Sequence, residues 1–182
     1  MALWTRGWFP RYSLASIMNG IGMLFQAMYI SLVVISMGIF ECYTSPNNKS
    51  SLRSYSFIEC GSPDHTSVLP LGIAAVVFYV VGFLALCIVC NYVAPQRFSN
   101  RDFSLSIRFL VFRFRPSTWW YGIILMLRSA LVGLVVIMEP NDASNQFYLL
   151  VSFLVISLAL HTKVHPYSHQ LANNLELFNL IV

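Results

Sequence analysis

Apolar residues in this chain come in long unbroken runs, and the charges fall in the gaps between them. Four runs carry no acidic or basic side chain, or only one: Tyr12–Phe40, Thr66–Gln96, Pro116–Met138 and Ala143–Thr162. Each is about twenty residues or longer, enough for a helix to cross a hydrocarbon core of ~30 Å. In lipid every backbone amide must be satisfied within the protein, which leaves helices or a closed barrel. The runs are continuous rather than alternating, so the pattern predicts helices and not barrel strands. The expected architecture is an all-α polytopic membrane bundle with spans at 13–40, 68–93, 119–138 and 147–163. A hinge and the start of a further helix follow at 164–182. The last stretch, Leu171–Val182, has the look of a helix just entering a membrane, so a fifth span continuing past Val182 is expected.

Composition strengthens this picture. Charged residues make up 10% of the 182, where a soluble domain would have about one-quarter. The excess of basic residues would suit nucleic acid in a soluble chain. Here they flank apolar runs, so they read as orientation signals and lipid-headgroup contacts, with no nucleic-acid partner. Arg6 and Arg11 precede the first run, Arg97, Arg101, Arg108, Arg113 and Arg115 fill the segment 94–118, and Lys163 closes the fourth run. The short loop 139–146 has Glu139 and Asp142 instead. By the positive-inside rule residues 1–12, the segment 94–118 and the tail are expected in the cytoplasm, with the first helix retained as a signal anchor. Trp4, Trp8, Trp119 and Trp120 all fall at the same expected interface, with Tyr12, Tyr92, Tyr121 and Tyr167 beside them.

The loop 41–67 is then expected outside, and two further features agree. It holds the sequon Asn48-Lys49-Ser50, which makes Asn48 a glycosylation candidate, and it holds Cys42 and Cys60. An oxidising compartment would join those cysteines, and free thiols are the alternative. Membrane of the secretory route, the plasma membrane in particular, is the expected location. Cys87 and Cys90, near the expected cytoplasmic end of the second helix, read as packing residues or palmitoylation sites rather than redox or metal groups.

Polar residues inside the spans are few. Asn19 and Gln26 lie seven apart on one face of the first helix, near Ser16 and Gly20 at small-x-x-x-small spacing, and are expected to contact another helix. The segment 94–118 mixes its five arginines with Phe103, Leu105, Ile107, Phe109, Leu110, Phe112 and Phe114. It is expected to lie along the membrane surface on anionic lipid, or to form a groove for a partner protein. His161, His165 and His169 are four apart, a spacing that would align metal or haem ligands on an unbroken helix, but Pro166 interrupts the register. No HExxH, carboxylate dyad, nucleophile turn or phosphate loop is present, so no catalytic residue, cofactor or metal is assigned.

Arg128 is the single charge within 119–138. Near mid-bilayer it would cost about 2.5–3.5 kcal/mol unless it snorkels or finds a counter-charge. The available carboxylate is Glu176, about a turn and a half into the expected fifth helix and entering from the same side. Pairing the two would lock helices together or form a switch.

From Phe109 onward the order of motifs is F-L-x-F-R-F-R-P, W-W-Y, L-M-L-R, a helix led by Gln146, K-V-H-P-Y and N-N-L-E-L. This order resembles the C-terminal membrane module of large protist surface proteins with Cys-rich extracellular repeats. That module is itself distantly similar to the transient-receptor-potential-like membrane domain of fungi. The chain departs from the pattern at Tyr121-Gly122, where the family has an acidic residue, and at Arg128-Ser129, where it has Arg-Lys. Arg128, Pro166, Tyr167, Asn174 and Glu176 match as structural positions. The resemblance implies sensing or ion permeation, hence a channel-like or receptor-like module. The residues alone favour an accessory subunit packed among other transmembrane helices of the same or a partner chain, because the second and fourth helices offer little polar lining beyond Ser152 and Ser157.

Overall fold

The protein is described by a computed structural model that covers residues 13–46, 49–139 and 141–181. Arg6, Arg11, Trp4, Trp8, Tyr12, the glycosylation candidate Asn48 and Val182 lie outside the described residues. The architecture is all-α apart from one small hairpin. Three helical rods are long and apolar enough to cross a membrane: Leu14–Phe40, Pro63–Arg97 and Ala143–Val164.

The first rod, α1 (Leu14–Met37), starts where the Ser13 hydroxyl accepts from the Ser16 N–H, and it tightens into a 3₁₀ turn at Gly38–Phe40. The chain then forms a hairpin of β1 (Cys42–Thr44) and β2 (Ser50–Leu52), paired antiparallel with Cys42 opposite Leu52. The second rod comprises α2 (Pro63–Ala75), a π-helical segment (Val76–Gly82) and α3 (Phe83–Arg97). It runs five residues further at its start than the expected Val68. Ser62 caps the His65 N–H, Pro63 sits where its missing N–H is harmless, and Asp64 complements the helix dipole. Pro70 and Pro95 therefore stand inside the rod instead of marking its ends. At 35 residues the rod is about 50 Å long, well beyond the ~30 Å thickness of a hydrocarbon core.

Two short helices follow, α4 (Arg101–Ser106) and α5 (Arg108–Val111). They pack against α1 rather than merely lying beneath the bundle, because their apolar residues Ile107, Leu110 and Val111 are buried in the main core with Tyr29, Val33, Cys87, Met126 and Ala130. Two close approaches tighten the packing on α1, one on the arginine-rich segment and one elsewhere in the bundle. A side chain on Gly22 would collide with the Phe109 ring, and one on Gly133 would collide with Val33. Gly20, by contrast, has open space before it, so the contacts expected of the Ser16/Gly20 face fall on Gly22.

The described apolar stretch of α6 (Tyr121–Met138) is shorter than those three rods. The third rod, α7 (Ala143–Val164), begins four residues before the expected position because Asp142 caps the N–H groups of Ser144 and Asn145. It ends at His165, whose left-handed backbone (φ 45°) and the following Pro166 stop the helix. The last element, α8 (Gln170–Ile181), packs on α7. Only 6% of the most apolar window of α7 is buried within the chain, so lipid or other helices must cover the rest.

Candidate functional site

Polar side chains gather at the end of the bundle where α6 begins, α7 stops and α8 starts. Thr118 closes the turn that leads into α6, and its hydroxyl donates to the carbonyl of Pro166 at 3.0 Å. The Arg115 N–H donates to the same carbonyl at 2.8 Å, and Arg115 Nε donates to the Tyr167 carbonyl at 3.2 Å. Ser168 Oγ donates to the Phe114 carbonyl at 3.1 Å. The Pro166 carbonyl, left without a helical partner where α7 has ended, is taken up by the turn at Arg115–Thr118.

Asn173 holds the hinge from the other side. Its Oδ1 accepts from the Tyr167 N–H and its Nδ2 donates to the Tyr167 carbonyl, both at 3.1 Å, with the side chain 1% exposed. His161, fully buried, places Nε2 3.2 Å from the Asn173 carbonyl and Nδ1 3.4 Å from the Tyr121 hydroxyl. A carbonyl only accepts, so Nε2 carries a proton. The rings of Phe114, Tyr121, Tyr167 and His161 meet edge-on or tilted around these bonds. Burial, with the nearby Glu176 charge second, pushes the Tyr167 phenol above its ordinary range.

Arg128 Nη1 donates to Glu176 Oε1 at 2.7 Å, with the two side chains 24% and 16% exposed. Each charge stands about 10 Å in from the start of its own helix, so the two meet at matching depth. The pair ties α6 to α8, which otherwise leans on α7. His161, His165 and His169 do not converge. His161 is committed to Tyr121 and Asn173, and His165 has turned out of the helix.

At the opposite end Cys42 and Cys60 form a disulfide. Glu41, 8% exposed, pairs with Arg53 at 2.9 Å, and Lys49 pairs with Glu59 at the surface. The Glu59 carboxylate, by hydrogen bond and charge, raises the Lys49 ammonium above its usual range. His65 Nε2 lies 3.1 Å from the Ile39 carbonyl, and the Thr44 N–H donates to Asn141 Oδ1 at 3.1 Å. The first bond joins the second rod to the end of the first, and the second ties the hairpin to the loop between α6 and α7. Cys42, Cys60 and His65 cluster as metal ligands would, but the disulfide consumes both thiolates.

The remaining polar candidates separate. Asn19 Oδ1 accepts from the Phe109 N–H at 2.7 Å, satisfying the start of α5, while Gln26 lines a groove between α1 and α5. Arg97, Arg101, Arg108 and Arg113 are exposed, whereas half-buried Arg115 turns into the hinge. Cys87 is buried in the main core and Cys90 is half-buried. Two features escaped sequence reading. Tyr29 donates its hydroxyl to the Val80 carbonyl at 2.9 Å, within the π-helical segment where the normal bonding is shifted. Asn91 is 1% exposed, donates to the Trp119 carbonyl at 3.4 Å, and leaves its Oδ1 unpaired.

Fold and site together define a helix bundle with three rods long and apolar enough to cross a membrane, clamped at one end by a polar hinge and at the other by a disulfide-closed cap. The chain matches no protein-family model, no curated protein sequence and no solved structure.

Proposed function

We propose that the chain is a four-span module with a cytoplasmic N-terminus, serving as a structural or accessory part of a larger membrane assembly and not as an enzyme. The observation that carries this reading is how its polar groups within the apolar helices are spent. Arg128 pairs with Glu176, and His161 and Asn173 bond to the hinge, so they join helices instead of lining a cavity. A conducting path would need polar side chains from several helices facing one water-filled space. The exposed apolar faces of the three long rods supply the surface for lipid and for partner helices.

The disulfide supports an oxidising compartment for 41–67, hence membrane of the secretory route and in particular the plasma membrane. The exposed arginines of 94–118 then face anionic lipid at the inner leaflet. A receptor-like or channel-like role, which the resemblance to the protist and fungal modules implies, draws on one observation. The Arg128–Glu176 pair holds α8 to α6 by side chains alone and so serves as a latch as readily as a lock.

Reconstitution into vesicles separates the readings. The accessory reading expects ion flux no higher than in protein-free vesicles, with Arg128→Leu lowering stability. A selective current from the purified chain that Arg128→Leu abolishes at unchanged stability would overturn it. Orientation is checked on the same chain expressed in a secretory host, where Asn48→Gln is expected to remove a glycan mass shift.

A further inference from the structure

Beyond that reading, the five arginines of 94–118 are not equivalent. Arg108 and Arg113 stand on one groove of about 670 Å³ between α1 and α5, lined also by Asn19, Met23, Gln26 and Phe112. Neither arginine has an acidic partner among the described residues, and no carboxylate lines the groove. The Arg108 guanidinium rests 5.6 Å from the Phe112 ring centre, which holds its charge at the groove. The Asn19 oxygen accepts from the Phe109 N–H, which leaves its NH₂ group, with the Gln26 amide, as further donors at the same groove.

The rest of the lining is apolar. Met23 on α1 and Phe112 beside the arginines are each 55% exposed, and Met23 continues into the exposed apolar face of α1 at Leu24 and Met28. Asn19 lies about 30 Å along α1 from Phe40, so the groove mouth falls at the edge of the hydrocarbon core furthest from the disulfide cap. A ligand that fits must present an anion to paired guanidiniums and an acyl chain to the side of α1.

We infer that this groove is a binding site for one anionic phospholipid, its phosphate held by Arg108, Arg113 and Gln26 and its acyl chain laid along Met23, Ala27 and Phe112. A paired guanidinium site favours phosphate oxygens through charge-assisted bonds, and the apolar wall distinguishes a lipid from free phosphate. The inference rests on the inner-leaflet reading of the arginines, and it narrows five of them to two.

The test uses the full chain in nanodiscs of phosphatidylcholine containing a minor fraction of phosphatidylglycerol, with retained lipid counted by native mass spectrometry. The wild-type chain should retain phosphatidylglycerol over phosphatidylcholine by a ratio roughly 30-fold above that of their shares, the preference expected of two basic residues near a membrane surface. R108Q/R113Q should bring retention close to that share, while R97Q/R101Q, with the same loss of charge, should leave it nearly unchanged. A27F keeps every charge and fills the acyl wall, and it should reduce retention as well. Equal losses from the two arginine pairs would overturn the groove and leave general headgroup attraction standing. No loss from either pair would overturn both. Displacement of the lipid by inorganic phosphate at equal concentration would show a phosphate site without lipid and would also overturn the proposal.

Discussion

The two ends of the bundle are held by opposite means. At the cap end the fastening is covalent and local: Cys42–Cys60 closes a loop of sequence separation 18, with ion pairs at or near the surface. At the hinge end it is non-covalent and long-range, joining Phe114–Tyr121, Arg128, His161, Pro166–Tyr167, Asn173 and Glu176. Outside a membrane, water competes for every polar contact, so exposed pairs contribute little and a covalent link does more. Where water is scarce an unpaired polar group is costly, and a satisfied network becomes a specific fastening for helices whose apolar faces offer no preference between lipid and protein.

That contrast can be broken at either end. The largest effect is expected from Asn173→Ala. It orphans the Tyr167 N–H and takes one of two donors from the Tyr167 carbonyl, which keeps Arg115 Nε. At ~1–3 kcal/mol for the buried unsatisfied group and about 1 kcal/mol for the other lost bond, the loss should be about 3 kcal/mol, read as thermal unfolding in detergent. Limited proteolysis of that variant should open the hinge at 164–170 and leave the loop 41–67 intact. Reduction, or Cys42→Ser with Cys60→Ser, should cost a similar ~3 kcal/mol through the unfolded chain. Its proteolytic cuts should fall within 41–67, with the hinge still protected. Cuts at both places in either variant would mean that the ends are not independent. Tyr29→Phe sharpens the comparison from between them. It removes one bond to a shifted helical carbonyl, so a loss of about 0.6–1.5 kcal/mol with both ends still protected is expected.

Much of this organisation is legible in the residues because charge is scarce. Arg128 and Glu176 stand out as charges in apolar surroundings, and Cys42 and Cys60 as two cysteines in one polar loop. The long rods are equally plain from their apolar runs, but their ends are not. Ser62-Pro63-Asp64 is a readable helix start, yet it lies in a polar loop where hydropathy gives no hint of helix. The hinge network was hidden for a different reason. Asn173, Thr118 and Arg115 bond to backbone carbonyls and N–H groups, which carry no residue identity, so no pattern of side chains marks their partners. Nothing in the sequence singles out Gly22, because only the arrival of Phe109 distinguishes it from Gly20. The arginine-rich segment reads as a surface element from its charges, whereas Ile107, Leu110 and Val111 take it into the core.

The central claim is that polar residues within the apolar helices act by joining helices, and the most direct measurement is a double-mutant cycle on Arg128 and Glu176. Unfolding is followed for Arg128→Leu, Glu176→Leu and the double variant in the same detergent. Each single change leaves a partly buried charge without its partner, so each should destabilise by about 3 kcal/mol. The double change should recover much of that loss, with a coupling of at least about 1 kcal/mol. Additive single effects would mean that the two side chains do not support one another, and the account of the hinge end as a polar clamp would be wrong.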